Sequence, residues 1–189
     1  MSSTSKAPPK PSMQFAIREA RMRDLKGYHQ CLASVAIERK HIGFVQAPPL
    51  RESRKWMKSV LDARYPFLVA TKGSTIVGWC DVGRREREGF RHTAELGMGL
   101  RAEVRGSGLG SRLLKRTIAL CRRRRIEKLE LQVYASNVPA RRLYEKFGFD
   151  VEGRRVRARK LDGRYDDVVL MGLFVTAGKA STRSASRRD

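Results

Sequence analysis

Acidic residues are scarce in this chain: 19 Asp and Glu stand against 41 Lys and Arg, a formal net charge of +22. A balance that positive implies an anionic ligand or surface, whether nucleic acid, a ribosome or a phosphorylated cofactor. Cysteine is scarce as well. Cys31, Cys80 and Cys121 lie far apart with no C-x-x-C, so neither a disulfide framework nor a zinc site is indicated, no metal is expected, and a reducing cytoplasm fits best. Long apolar runs are missing: nothing approaches the ~18 residues of a membrane span, and the N-terminus carries charges and prolines but no hydrophobic signal core. The expectation is a soluble, cytoplasmic protein with no membrane partner. No internal repeat is visible.

A chain of 189 residues is large enough to bury one core without staples. Residues 1–12 and 177–189 are polar and rich in small residues, and both read as disordered tails. They hold only Lys6, Lys10, Lys179, Arg183, Arg187 and Arg188 of the basic set, so the segment 13–176 is itself strongly basic. Within it, "FAIREAR" (15–21) alternates as a strand and 22–39 turns helical, with Leu25, Tyr28, Leu32, Val35 and Ala36 on one side. After the breaker "HIGFVQAPPL" (41–50), residues 51–65 form a second amphipathic stretch with Trp56, Met57, Val60 and Leu61 inward. Strand-like runs at 66–71 and 75–83 flank the turn Lys72-Gly73-Ser74, and a further strand spans 92–101. A helix from 109 to about 124 follows, then a strand at 128–134 and a short helix at 138–149, with Pro139 near its start and Gly148 at its end. A hairpin turned at Asp162-Gly163 closes the chain. That order predicts a single α/β (α+β) domain, a mixed central sheet of about seven strands flanked by about four helices.

The stretch "VRGSGLGSRLL" (104–114) puts glycines at 106, 108 and 110 directly before a helical pattern. A P-loop is excluded because no Lys-Ser or Lys-Thr follows, and the dinucleotide fingerprint lacks its last glycine where Ser111 stands. The pattern [QR]-x-x-G-x-[GA] is satisfied by Arg105, Gly108 and Gly110. Its physics suits a diphosphate, since consecutive N–H groups at a helix N-terminus point at one anion and missing side chains let it approach. A plain tight turn with a basic neighbour is the alternative reading.

Thirty positions later comes "ASNVPARRLYEKFGF", and with both segments in view the chain resembles the GCN5-related N-acetyltransferases (GNAT), in their bacterial small-substrate form. The residues that carry the likeness are Arg105, Gly108, Gly110, Asn137, Ala140, Leu143, Tyr144, Gly148 and Phe149, with "IREA" (17–20), "IVGW" (76–79) and "DGRYDDVVLM" (162–171) extending it to residues 15–175. The resemblance implies an enzyme that uses acetyl-CoA as acyl donor, bound where two parallel strands splay apart. Backbone of Met98, Gly99 and Leu100 would pair with the pantetheine arm as an added strand. Gly106, Ser107, Gly108, Leu109, Gly110 and Ser111 would cradle the diphosphate with Arg105 nearby. Gly97 and Gly99, unfavourable inside a strand, would mark a bulge or the close approach of a ligand.

Tyr144 matches the family tyrosine that protonates the departing thiolate, a contribution typically worth ~10²–10⁴-fold; a packing tyrosine is the alternative. Asn137 matches a cofactor contact and equally suits the N-cap of its helix. An amine that arrives as an ammonium must lose a proton, and Glu95 is the candidate base, with His92 and Asp81 as alternatives. Phe44, Trp79 and Tyr165 are the candidates for the acceptor pocket. The expected reaction is direct transfer of acetyl to a primary amine of a small molecule, since no cysteine motif argues for a covalent intermediate. Two other readings stay open: a protein N-terminus or lysine as acceptor, for instance on the ribosome, and a non-catalytic acyl-CoA or nucleic-acid module. A homodimer is compatible with any of the three.

Overall fold

The computed structural model describes residues 15–85 and 87–175, so the two expected tails lie outside the described residues. The chain runs β1 (Ala16–Glu19), α1 (Leu25–Ala36), α2 (Leu50–Asp62), β2 (Phe67–Lys72), β3 (Thr75–Arg84), β4 (Thr93–Leu100), α3 (Leu109–Arg123), β5 (Lys128–Tyr134), α4 (Val138–Lys146), β6 (Asp150–Leu161) and β7 (Arg164–Phe174), with single 3₁₀ turns before α1, β4 and α3. These strands form one seven-stranded sheet in the order β1-β2-β3-β4-β5-β7-β6. Every neighbouring pair is antiparallel except β4 and β5. The expected count of strands and helices is the observed one.

Each face of the sheet carries its own apolar layer. On one side α3 presents Leu109, Leu113, Leu114, Ile118 and Cys121 at three- and four-residue spacing, and these pack with Tyr144 and Leu143 of α4 against Cys80, Val82, Leu96 and Leu129. Leu113 and Leu114 are completely buried, which stabilises the fold by roughly 1.5–3 kcal/mol each. On the other side α1 and α2 bring Tyr28, Leu32, Val35, Met57 and Val60 onto Phe67, Val69, Ile76 and Trp79. A bulge between Ala70 and Thr71 offsets β3 against β2. It puts Ile76 and Trp79 on the α1/α2 face, three residues apart where a regular strand alternates by two.

Two expectations about the α1/α2 layer need correction. Helix α1 begins at Leu25 rather than 22, because Met22–Asp24 form a 3₁₀ turn. Trp56 does not join the core: it is 41% exposed, with its indole laid across the end of β3. Position 83 admits that ring only because it is glycine, since a Cβ there would stand 2.5 Å from Cη2 of Trp56.

Candidate active site

The parallel pair holds the decisive irregularity. Strands β4 and β5 are in register at Thr93/Lys128, Ala94/Leu129 and Glu95/Glu130, and no further. Strand β4 nevertheless stays paired with β3 as far as Leu100, and β5 with β7 as far as Tyr134. The two neighbours therefore diverge from residue 96 onward, and the β5-facing backbone edge of β4 lies open in a wedge-shaped cleft. An extended ligand arm inserted there would find main-chain partners on one side.

The glycine segment lies at the end of β4 that leads into this cleft. Gly106 and Gly108 have φ of 75° and 80°, a left-handed conformation that costs a side-chain-bearing residue roughly 1–2 kcal/mol. A Cβ at either position would meet nothing within 4 Å, so backbone geometry, not crowding, demands glycine there. Leu109, Gly110 and Ser111 open α3, and their N–H groups have no carbonyl one turn back. No side chain caps this terminus, which leaves the amides free for an anion. Gly110 has a packing reason as well: a Cβ would press Met98 and Leu143 at 3.2 and 3.3 Å. Ser107 turns its hydroxyl back onto the carbonyl of Val104 at 2.6 Å and offers the cleft only its backbone.

Arg105, expected beside the cradle, is held by protein partners: its guanidinium donates to the Glu38 carboxylate at 2.6 and 2.7 Å and to the Leu100 carbonyl at 2.8 and 3.0 Å. The bidentate pair holds the Glu38 carboxyl below its usual range and ties the end of α1 to the end of β4. It also occupies the carbonyl of Leu100, and since alternate residues of a strand present their backbone to opposite neighbours, with Gly99 turned to β3, Met98 is left as the open position on that edge.

Beside the cleft, on the α1/α2 face, a cavity of about 630 Å³ opens among Phe44, Glu52, Trp56, Trp79, Asp81, Arg84, Arg85, Glu95 and the β4 backbone from Leu96 to Met98. The segment from Ile42 to Phe44 walls it, pinned by a hydrogen bond from the Tyr134 hydroxyl to the Ile42 carbonyl at 3.3 Å. The glycines of β4 find their explanation here. A Cβ at Gly97 would lie 2.9 Å from Oδ1 of Asp81, and one at Gly99 would lie 2.1 Å from Cη2 of Trp79. Cross-strand side chains, not a ligand, fill the space that these glycines leave.

Asp81 is the unusual group of this cavity. It is 5% exposed and accepts a hydrogen bond at 2.8 Å from Nε1 of Trp56. Burial pushes its carboxyl up to about 6, with the indole donors of Trp56 and Trp79 opposing the rise. Glu95, the expected base, is at the rim: its side chain is 50% exposed and stands 3.9 Å from Arg85. His92 does not reach the cavity; its carbonyl accepts from the N–H groups of Glu127 and Lys128.

Tyr144 reaches the sheet from the opposite face. It is buried at 8% exposure, its ring 5.7 Å from that of Phe149, and burial lifts its phenol above the ordinary value. Such a group stays protonated at neutral pH. Asn137 caps α4, its side chain accepting from the Ala140 N–H at 3.4 Å. Together with Tyr165 it lines a second cavity, of about 760 Å³, between residues 38–41, the start of α4 and the β6/β7 turn. Tyr165 is thus separated from Phe44 and Trp79, because β4 and β5 stand between β3 and β7 in the sheet, and its ring lies under the cations of Arg157 and Lys160. All three cysteines are buried, and burial raises each thiol, so none is a ready nucleophile. Among the described residues no cluster of His, Cys, Asp and Glu is arranged to hold a metal, and no helix is long and apolar enough to cross a membrane.

Sequence reasoning passed over Trp56, Arg84 and Arg85 as members of this cavity. The available signal was the run "WCDVG", where an acid interrupts an otherwise apolar strand and must find a partner.

Comparison with known proteins adds a separate line of observation. The sequence model of the Acetyltransferase (GNAT) family matches residues 36–149. The chain is 26% identical over 160 residues to L-amino acid N-acetyltransferase AaaT of Escherichia coli, covering 84% of this chain and 96% of that protein. It is 28% identical over 169 residues to the L-methionine sulfoximine/L-methionine sulfone acetyltransferase of Pseudomonas aeruginosa, covering 85% and 95%. Its fold is similar to a GNAT superfamily phosphinothricin acetyltransferase from Sinorhizobium meliloti solved with acetyl-CoA, at a TM-score of 0.82 and 20% identity over 92% of this chain and 95% of that one.

Proposed function

The chain belongs to the GNAT family of acetyltransferases, and from that premise we propose that it moves an acetyl group from acetyl-CoA to the primary amine of a small molecule, an amino acid or a close analogue. The observation that carries the reading is the junction of the β4/β5 cleft with the 630 Å³ cavity, a volume suited to a small acceptor. Both signs of charge line that cavity, Arg84 and Arg85 against Glu52, Asp81 and Glu95, as a zwitterionic acceptor requires. The relatives named above act on molecules of that class.

Acetyl-CoA supplies the activated acyl thioester. Amides from Gly106 to Ser111 hold its diphosphate, the cleft-facing backbone of β4 at Met98 pairs with the pantetheine arm, and Asn137 braces the start of α4 beside it. Phe44 and Trp79 shape the acceptor cavity, and Glu95 at its rim attracts the ammonium form of the amine. Acceptor and proton donor approach from opposite faces of the sheet: the amine comes from the α1/α2 side and Tyr144, from the α4 side, delivers its phenolic proton to the departing sulfur. No enzyme nucleophile takes part.

The test is release of free thiol from acetyl-CoA across amino acids, their sulfone and sulfoximine analogues, polyamines, aminoglycosides and ribosomal peptides. Turnover confined to amino acids and their analogues is the expected result. Turnover only on peptides would replace the small-molecule reading with a protein acceptor, and no turnover with any amine would remove the function.

A further inference from the structure

We infer that Asp81, positioned by Trp56, is the group that binds the acceptor's ammonium and takes its proton, so that Glu95 is a rim residue and not the base. This rests on the acetyltransferase reading and deepens it at the same site.

Several independent features of the structure converge on Asp81. It is the buried carboxylate of the acceptor cavity, whereas Glu95 is half exposed and stands beside Arg85. Its register partner on β4 is Gly97, two residues beyond the last β4/β5 pair, so the carboxylate lies where the cleft opens into the cavity. The surroundings are built for it. Gly97 leaves room for Oδ1, Gly83 leaves room for the Trp56 ring, and the Trp56 indole donates to Oδ2 at 2.8 Å. The Trp56 bond engages Oδ2, and Oδ1, over Gly97, is the oxygen assigned to the incoming N–H. A carboxylate kept in an apolar strand at a cost in free energy, with two glycines admitting it and its donor, is an arrangement that packing alone does not call for.

Charged and titratable groups come to this cavity from every packed element: Tyr28 on α1, Glu52 on α2, Arg84 on β3 with Arg85 just beyond it, and Glu95 on β4. Burial dominates at Asp81 and the Glu95 charge adds to it, while the indole donors pull the other way, so the carboxyl sits near 6. At neutral pH it is ionised yet close enough in basicity to accept a proton during turnover. In the step itself an N–H bond of the ammonium breaks and its proton passes to Oδ1 of Asp81. The freed nitrogen pair forms the bond to the acetyl carbon as the carbon–sulfur bond breaks. The sulfur takes the Tyr144 proton, the new amide nitrogen gives up its surplus proton to the phenolate through solvent, and Asp81 returns its own proton to water.

Two measurements test this on the full chain. In the first, the Nε1–H resonance of Trp56 in the free protein is followed from pH 4.5 to 8 and is expected to titrate with a midpoint near 6, with the titration lost in Asp81→Asn. In the second, kcat/KM of the wild type is expected to rise with pH through the same midpoint. Asp81→Asn lowers kcat/KM by ~10²-fold or more and removes that limb, while Trp56→Phe keeps the limb and moves it to higher pH, because the anion has lost a donor. Glu95→Gln lowers kcat/KM but retains the limb. An acidic limb that survives in Asp81→Asn, or one that disappears in Glu95→Gln, overturns the inference while leaving the acetyltransferase intact. A wild-type chain that titrates at Trp56 but acetylates nothing overturns the function and the inference together.

Discussion

Replacing Asp81 by asparagine should make the protein more stable at neutral pH and no more stable in acid. In the folded chain burial raises the carboxyl to about 6 from an ordinary value of 3.8. Between those values the native state binds more protons than the unfolded one, so stability falls as pH rises through the window. Above it the full cost is in place. A rise of that size corresponds to about 3 kcal/mol, at ~1.36 kcal/mol per pH unit. The amide of the Asp81→Asn variant would carry no charge to desolvate, and its carbonyl could still accept from Trp56, but its N–H groups would lack an assured partner, which offsets ~1–2 kcal/mol. A net gain of ~1–2 kcal/mol at about pH 7.5 should appear as a rise in Tm of roughly 2–8 °C. Thermal unfolding of both proteins at half-unit intervals from pH 4 to 8 would read it. The gap must narrow as pH falls below about 6 and be gone at pH 4, near the unfolded-state value of 3.8. A variant that is equally displaced at pH 4 and pH 8, or less stable at pH 8, would show that Asp81 is not a desolvated anion.

Other expectations follow from the same geometry. Gly108→Val should weaken coenzyme A binding at least tenfold by calorimetry and destabilise the fold by only ~1–2 kcal/mol, since the position is strained at φ 80° but uncrowded; unchanged affinity would dismiss the diphosphate cradle. Arg105→Ala should do the reverse, lowering Tm by releasing Glu38 and Leu100 while leaving coenzyme A affinity within a few fold. A selective loss of affinity there would return Arg105 to the cradle. Tyr144→Phe should reduce kcat by ~10²-fold or more with acceptor KM and coenzyme affinity nearly unchanged; full turnover in that variant would make Tyr144 a packing residue. Gly99→Ala drives a Cβ against the Trp79 indole, whose ring is held by Tyr28 at 5.7 Å, so it should raise acceptor KM sharply and lower Tm. A silent substitution would mean that Trp79 is free to move.

Much of the molecule was legible before any tertiary structure, and the reason is locality. The apolar spacing of Leu109, Leu113, Leu114 and Ile118 marks a helix whatever surrounds it. Gly106 and Gly108 announce left-handed backbone, and Asp162-Gly163 announces a hairpin turn, through constraints that span two or three residues. The glycine turn and the seven-strand, four-helix count rest on signals of that kind.

What the chain alone did not decide is which distant groups meet. The partner of Arg105 is Glu38, 67 positions away, and no periodicity reports it. Glu95 and Asp81 are both acids on strands, and only the packing of α2 over β3 buries one and leaves the other at the rim. Tyr165 lies apart from Trp79 because β4 and β5 stand between their strands, and Trp56 left the core because Gly83 makes room for its ring. Sequence by itself determined the local elements and the left-handed glycine turn before α3, since those depend on dihedral preferences of adjacent residues. Tertiary structure alone decided where charge is desolvated and which side chains share a cavity, because burial and Coulomb energy depend on distance in space and not along the chain.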